Sequence, residues 1–223
     1  MDLAPQENNK DEQMKAENKK GFIFFIRHGK TDWNNLGLMQ GREDIPLNEE
    51  GLLEARNAAC HIRAALDKTG FEFDSVISSP LMRASVMGKM IAEKIGCDSF
   101  FCDVRATERD FGELSGKKYD KSSPAIMRDV DEYSSLERVD DLLLRVNEFI
   151  NEYASCEKNI LVVTHGAVTR IFADNAKKAP DFEITAPFLN NCHLVAYSYN
   201  GTEPILLGYN ISPERLDEFL EGI

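Results

Sequence analysis

The chain has 223 residues, 43% of them hydrophobic, which suits one domain with a sizeable core and excludes a collagenous, coiled-coil or largely disordered chain. Its 38 acidic and 26 basic residues give a formal charge of -12, and so acidic a body argues against nonspecific nucleic-acid binding and against an anionic membrane surface. The five cysteines (Cys60, Cys97, Cys102, Cys156 and Cys192) are irregularly spaced and form no C-x-x-C pair, so reduced thiols in a cytoplasmic protein are expected rather than a zinc ribbon or a redox pair.

Residues 1–20 are polar and lack the apolar core of a signal peptide, so they read as a solvated tail ahead of a single domain over 21–223. The first apolar run, Phe22–Ile26, is far shorter than the ~20 residues of a membrane span. Residues 22–27, aromatic and β-branched, predict a strand. After a polar loop, Leu52, Ala55, Ala59, Ile62 and Leu66 recur at helical spacing over 49–67, with Asn48 placed to cap and Glu49 and Glu50 in the first turn. Residues 74–78 predict a second strand. Ser79-Pro80 looks like an N-cap followed by proline at the first helical position, and Leu81, Ala84, Gly88, Ile91 and Ile95 share a face up to a stop at Gly96. Gly88 on that face predicts close helix–sheet packing.

A short strand is expected over 99–102. Residues 103–133 are weakly patterned and broken by Gly112, Gly116 and Pro124, as functional lids often are. Ser134 and Glu137 have capping-box spacing before a helix carrying Val139, Leu142, Val146, Phe149, Ile150 and Tyr153. A strand over 160–164, a helix from about 167 to 177, strands near 193–199 and 204–209 and a short terminal helix complete the chain. Alternation of this kind predicts an α/β fold, three layers α/β/α around a mainly parallel sheet. Ligands of such sheets bind beyond the carboxyl ends of the strands. His28 and His165, each followed by glycine, fall at two such ends, and adjacent parallel strands would bring them to one edge.

Around His28 the residue types suit a tetrahedral oxyanion. Arg27 precedes it, Gly29 allows close approach to the backbone, and Thr31 and Asn34 follow. Arg83 lies in the first turn of a helix, where a cation opposes the macrodipole, so helix stability does not explain its position; it is either a surface arginine reaching a nearby acid or a second guanidinium aimed at the same anion. His61 lies off the apolar face of its helix and reads as a surface residue; His193, opening a late strand, reads as structural. Trp33 either lines a pocket or packs the loop. The segment "GELSGKK" at 112–118 is one residue short of a P-loop and has no Ser or Thr after its lysine. No metal-binding motif is present.

Four segments in order, "FIRHGKTDWN", "SSPLMRA", "ERDFGELSGK" and "VVTHG", resemble the histidine phosphatase superfamily, the phosphoglycerate mutase-like fold, over roughly residues 22–210. The resemblance implies that His28 is a nucleophile forming a phosphohistidine, and that Arg27, Arg83, Asn34 and His165 hold the phosphoryl oxygens. Gly29 and Gly166 would allow tight packing about the phosphate. At the position matching the family's motif, Glu108 would protonate the leaving oxygen and then activate water, a role that burial beside a phosphate suits; Asp110 and Glu113 are its rivals. No cofactor and no metal are implied.

Within the family, a mutase carries a longer insertion between the acid and the second histidine, and "QGREDIPLNEEG" at 40–51 resembles the phosphatase form of that loop. A shorter lid admits water, which favours hydrolysis. The expected activity is therefore metal-independent hydrolysis of small phosphorylated metabolites. A phosphoglycerate mutase is the alternative, and a catalytically silent phospholigand-binding module is the reading from another class. No nucleic-acid or membrane partner is expected, and a homodimer is allowed. Four departures from the family's pattern bear on substrate preference: Lys30 where Glu or Gln is usual, Met87-Gly88 in place of Thr-Ala, and Ala167 where a second glycine is frequent.

Overall fold

A computed structural model of the chain describes residues 20–118, 135–155, 157–186 and 188–223. The tail at 1–19, residues 119–133 of the expected lid, Ser134 and Cys156 lie outside the described residues. Seven strands form one sheet in the order β3-β2-β4-β1-β6-β7-β5. They are β1 (Gly21–Arg27), β2 (Ser75–Ser78), β3 (Phe100–Cys102), β4 (Asn159–Thr164), β5 (Lys177–Lys178), β6 (Leu194–Tyr199) and β7 (Pro204–Ile211). The helices are α1 (Asp32–Leu36), α2 (Glu49–Thr69), α3 (Met82–Ile95), α4 (Val139–Tyr153), α5 (Gly166–Asn175) and α6 (Leu216–Glu221). Strands β3, β2, β4 and β1 are mutually parallel, whereas β6 is antiparallel to both β1 and β7.

Strand β1 is buried on both faces, and its alternation builds the three layers. Phe24 and Ile26 face a cluster made with Ala55, Ala59 and Ile62 of α2, Ala84, Met87 and Ile91 of α3, and Leu216 of α6. Ile23 and Phe25 face the other cluster, with Leu142, Val146 and Phe149 of α4 and Val168, Ile171 and Phe172 of α5. Each of these large side chains contributes roughly 1.5–3 kcal/mol on burial. Helix α2 begins where the sequence predicts, with the Asn48 side chain accepting the Gly51 N–H at 2.8 Å. Gly88 lies against the sheet, where an added Cβ would sit 3.0 Å from the Phe100 ring and 3.1 Å from Ser78 Cβ.

Two helix starts differ from expectation. Helix α3 begins at Met82, with Leu81 as its cap, rather than at Pro80. Ser79 stays with the strand edge: its N–H donates to Val163 O at 2.9 Å, and its hydroxyl meets His165 while accepting the Leu81 N–H at 3.3 Å. The Met82 N–H is satisfied by Asp44 Oδ1 at 2.7 Å instead. Helix α4 begins at Val139, with Arg138 as its cap, and the Glu137 carboxylate is occupied by Arg145 and the Asp110 N–H rather than by a capping box. Among the described residues, no helix is long and apolar enough to cross a membrane.

Candidate active site

The register of the parallel strands sets the site. Arg27 at the end of β1 is paired with Thr164 at the end of β4, and Ser78 at the end of β2 with Val163. His28, Ser79 and His165 therefore leave the sheet at one edge. The rings of His28 and His165 stand 5.2 Å apart, T-shaped at 61°. Both histidines are buried, as are Arg83 and Glu108.

Hydrogen bonds fix the rings. His28 Nδ1 lies 2.7 Å from Gly29 O. A carbonyl only accepts, so Nδ1 carries the proton and Nε2 presents a lone pair. The backbone of His28 is held by Thr164 O at 3.0 Å and by the Asn191 side chain, which donates to His28 O at 2.8 Å. His165 Nε2 meets Ser79 Oγ at 2.8 Å, while its Nδ1 is buried with no partner.

The guanidinium groups are similarly arranged, tied down at one end and open at the other. Arg27 Nη1 donates to Leu189 O at 2.5 Å. Arg83 donates from Nη1 to Glu43 O at 2.6 Å and from Nη2 to Gly41 O at 2.8 Å, so the loop before α2 grips it. The Nε atoms of both arginines are buried and have no partner. Orphaned buried donors are costly unless something fills them. Five buried side-chain polar atoms among the described residues lack a partner, and three of them are these two Nε atoms and His165 Nδ1. Three of the residues expected to hold an anion thus each carry a buried nitrogen without a partner.

The electrostatics agree. Burial lowers the pKa of His28 well below the ordinary imidazole range, and the charges of Arg83 and Arg27 lower it further. Burial acts in the same direction on His165, followed by Arg83 and His28. Arg83 is itself lowered to about 10, chiefly by burial. Burial and the neighbouring charges thus favour the neutral form of both rings, and the arginines supply the positive field.

Glu108 faces this field. Oε1 accepts N–H bonds from Arg109 at 2.9 Å and Val168 at 3.2 Å, and Oε2 accepts one from Ala167 at 3.3 Å. The carboxylate thus sits on the N-terminus of α5, directly after His165. Its rivals point elsewhere: Asp110 is half-exposed and lies 3.8 Å from Arg42, and Glu113 is exposed.

Other expected residues have different places. Thr31 is buried, but its N–H and hydroxyl both bond Asn34 Oδ1 in a capping box on α1, and the hydroxyl also meets Gln40. Thr31 therefore shapes the loop rather than offering a donor to a ligand. Asn34 spends its oxygen on that cap and keeps its amide nitrogen. Gly29 gives close approach not to a ligand but to α2, since an added Cβ would lie 2.6 Å from Gly51 O. Gly166 borders Arg27, where a Cβ would lie 3.4 Å from Nε. Lys30 turns to Glu50 and Glu54 rather than to the anion site. Trp33, in α1, lies over Gly116, where an added Cβ would sit 3.4 Å from its ring. His61 is exposed, 3.8 Å from Glu214, and His193 Nδ1 meets Asn210 O at 3.1 Å. Ser79 and Asn191 were not anticipated. Ser79 follows β2 as His165 follows β4, so the same strand-end argument reaches it; nothing in the sequence signals Asn191.

Two facing histidines at a sheet edge, with Arg27 and Arg83 beside them, match the arrangement the resemblance implies, and the comparisons with known proteins identify the family. The histidine phosphatase superfamily (branch 1) matches residues 23–212, and the chain belongs to it. It is 30% identical to "Uncharacterized phosphatase PhoE" of Bacillus subtilis over 65% of this chain and 72% of that protein. It is 37% identical to a 2,3-bisphosphoglycerate-dependent phosphoglycerate mutase of Rhizobium johnstonii, over 45% of this chain and only 46% of the mutase. Among solved structures, a phosphoglycerate mutase from Bacillus anthracis superposes with a TM-score of 0.74 at 18% identity, covering 91% of this chain and 98% of that one. A mycobacterial glucosyl-3-phosphoglycerate phosphatase with VO3 gives 0.69 at 21% identity, covering 86% of this chain and 100% of the other. The fold is thus the phosphoglycerate mutase-like one, a three-layer α/β/α arrangement.

Proposed function

We propose that the protein hydrolyses small phosphate monoesters through a phosphohistidine at His28. The observation that carries this reading is the triad of unpartnered buried donors, Arg27 Nε, Arg83 Nε and His165 Nδ1, beside a His28 ring whose Nε2 holds a lone pair. A phosphoryl group supplies the missing acceptors, and its reaction needs little beyond positioning and charge stabilisation.

In the first step His28 Nε2 attacks phosphorus. The ester P–O bond breaks, its electron pair goes to the leaving oxygen, and that oxygen takes a proton from Glu108. In the second step water attacks the phosphorus, Glu108 accepts the water proton, and the P–N bond pair returns to Nε2 as orthophosphate forms. Oε2 is the freer oxygen of Glu108, with one long hydrogen bond against two on Oε1. Ser79 Oγ already accepts the Leu81 N–H at 3.3 Å. Giving its own proton to His165 Nε2 leaves His165 Nδ1–H to donate to a phosphoryl oxygen. Asn34 offers its amide nitrogen to another. Arginine charges do the work that a metal does in other phosphatases.

The test is phosphate release from p-nitrophenyl phosphate. The expected result is turnover unaffected by EDTA and lost in His28→Ala. Loss of turnover in EDTA overturns the mechanism. A mutase would instead interconvert phosphoglycerates and require a bisphosphorylated primer, and a silent binding module would hold phosphate without releasing any from ester.

A further inference from the structure

The proposed acid, Glu108, sits on a segment with no sheet ladder to hold it. Residues 104–106 form one 3-10 turn, and residues 107–111 are irregular. A catalytic carboxyl must be placed to within a fraction of an ångström, and loops alone rarely do this.

Arg145, on α4, holds this segment. A guanidinium has five N–H donors, and here each has an acceptor. Nη1 donates to Arg105 O at 2.6 Å and Thr107 O at 2.8 Å. Nη2 reaches Glu108 O at 3.3 Å and Glu137 Oε2 at 2.9 Å, and Nε donates to Glu137 Oε1 at 2.7 Å. Three of the five bonds thus end on main-chain carbonyls immediately before or at the acid. Glu137 closes the other side. Oε2 accepts the Asp110 N–H at 3.1 Å, its N–H donates to Asp110 O at 2.9 Å, and its carbonyl accepts from Arg109 Nε at 2.7 Å. The pair is largely shielded, with side-chain exposures of 14% and 10%. Such a pair is retained for geometry more than for net stability.

We infer that Arg145, locked by Glu137, is a positioning residue that aims Glu108 at the leaving oxygen. This rests on the reading of Glu108 as the acid, and its consequence for the step that forms the phosphohistidine is specific to leaving-group protonation, whereas discharge, with Glu108 as base, is common to all esters. Attack by His28 does not depend on that protonation. A good leaving group such as p-nitrophenolate departs without a proton, whereas an alkoxide does not.

The experiment compares kcat/KM, which ends at leaving-group departure and so omits the discharge step common to both esters, for p-nitrophenyl phosphate and for an alkyl ester, β-glycerophosphate, in wild type, Glu108→Gln, Arg145→Gln, Arg145→Lys and Glu137→Gln. Active sites are counted by the p-nitrophenol burst, so unfolded protein does not enter the ratio. Glu108→Gln should lose about 100-fold or more on the alkyl ester and far less on the aryl ester. Arg145→Gln should show the same selectivity, with about 10- to 100-fold loss on the alkyl ester, and Arg145→Lys, with three donors for five acceptors, should fall between. Equal proportional losses on both esters, or none, in Arg145→Gln overturn the inference while Glu108→Gln remains selective. If Arg145→Gln fails to fold, Glu137→Gln decides by the same criterion. If Glu108→Gln is itself unselective, the acid assignment falls, and the positioning role falls with it.

Discussion

His28 stands edge-on to His165, their ring centres 5.2 Å apart, and Arg83 lowers the proton affinity of both. Because burial is the larger cause for each ring, both titrate below the ordinary imidazole value in the free protein. The sign follows from proton counting. Below about pH 6.5 the unfolded chain takes up protons that the folded rings refuse, so stability rises with pH from the depressed folded values to about 6.5 and is lost as pH falls. NMR titration of the free protein should find both rings neutral at pH 6. A ring titrating at or above 6.5 contradicts the electrostatic account.

Gly166 offers a test of the anion site that leaves the fold alone. An added Cβ would meet Arg27 Nε at 3.4 Å and Cζ at 3.5 Å, an ordinary contact that covers an orphaned donor. Gly166→Ala should change stability by no more than about 0.5 kcal/mol yet weaken inhibition by inorganic phosphate and vanadate. Unchanged inhibition constants would count against Arg27 Nε as a phosphoryl donor.

Gly51 is the opposite case. Its Cβ would lie 1.9 Å from Lys30 O and 2.7 Å from Lys30 N, both backbone atoms that cannot swing aside. Gly51→Ala should destabilise by about 1–3 kcal/mol, the usual cost of overpacking, and should also impair activity, since the same contact seats the loop after His28. Chemical denaturation and kcat measured together check this; full stability would show that the α2 start is loosely set.

Lys30 is paired with Glu50 and Glu54. Its charge is therefore spent on these carboxylates rather than at the proposed phosphate site. Lys30→Ala should leave KM for small esters nearly unchanged, because an exposed, paired charge contributes little. A rise in KM confined to anionic substrates would return Lys30 to the pocket rim.

The sheet and the histidine pair were legible in the sequence because strand ends and periodicity are local signals. The apolar runs that end at His28 and His165 suffice to place both rings on one sheet edge. What was not legible depends on partners distant in sequence. Gly29 read as room for a ligand, although the room is taken by Gly51 O from the next helix. Ser79 read as a helix cap, although its hydroxyl is held by His165, 86 residues on. Glu137 had capping-box spacing, but Arg145 and Asp110 occupy its carboxylate. Thr31 had the chemistry of a phosphate ligand, but its donors serve a five-residue helix. In the first three cases residue type and spacing were compatible with two partners and tertiary packing chose the other one; for Thr31 the competing partner, Asn34, is local.

The central claim is covalent, so the direct measurement is of the covalent species. Wild-type protein should be mixed with a radiolabelled phosphate monoester, quenched in alkali within the first turnover, and digested for peptide mapping. The account predicts one alkali-stable, acid-labile phosphoryl group on His28, formed and discharged at rates that match turnover, with Glu108→Gln slowing its discharge. Label on any other side chain, or a His28→Ala enzyme that keeps its full rate, contradicts it.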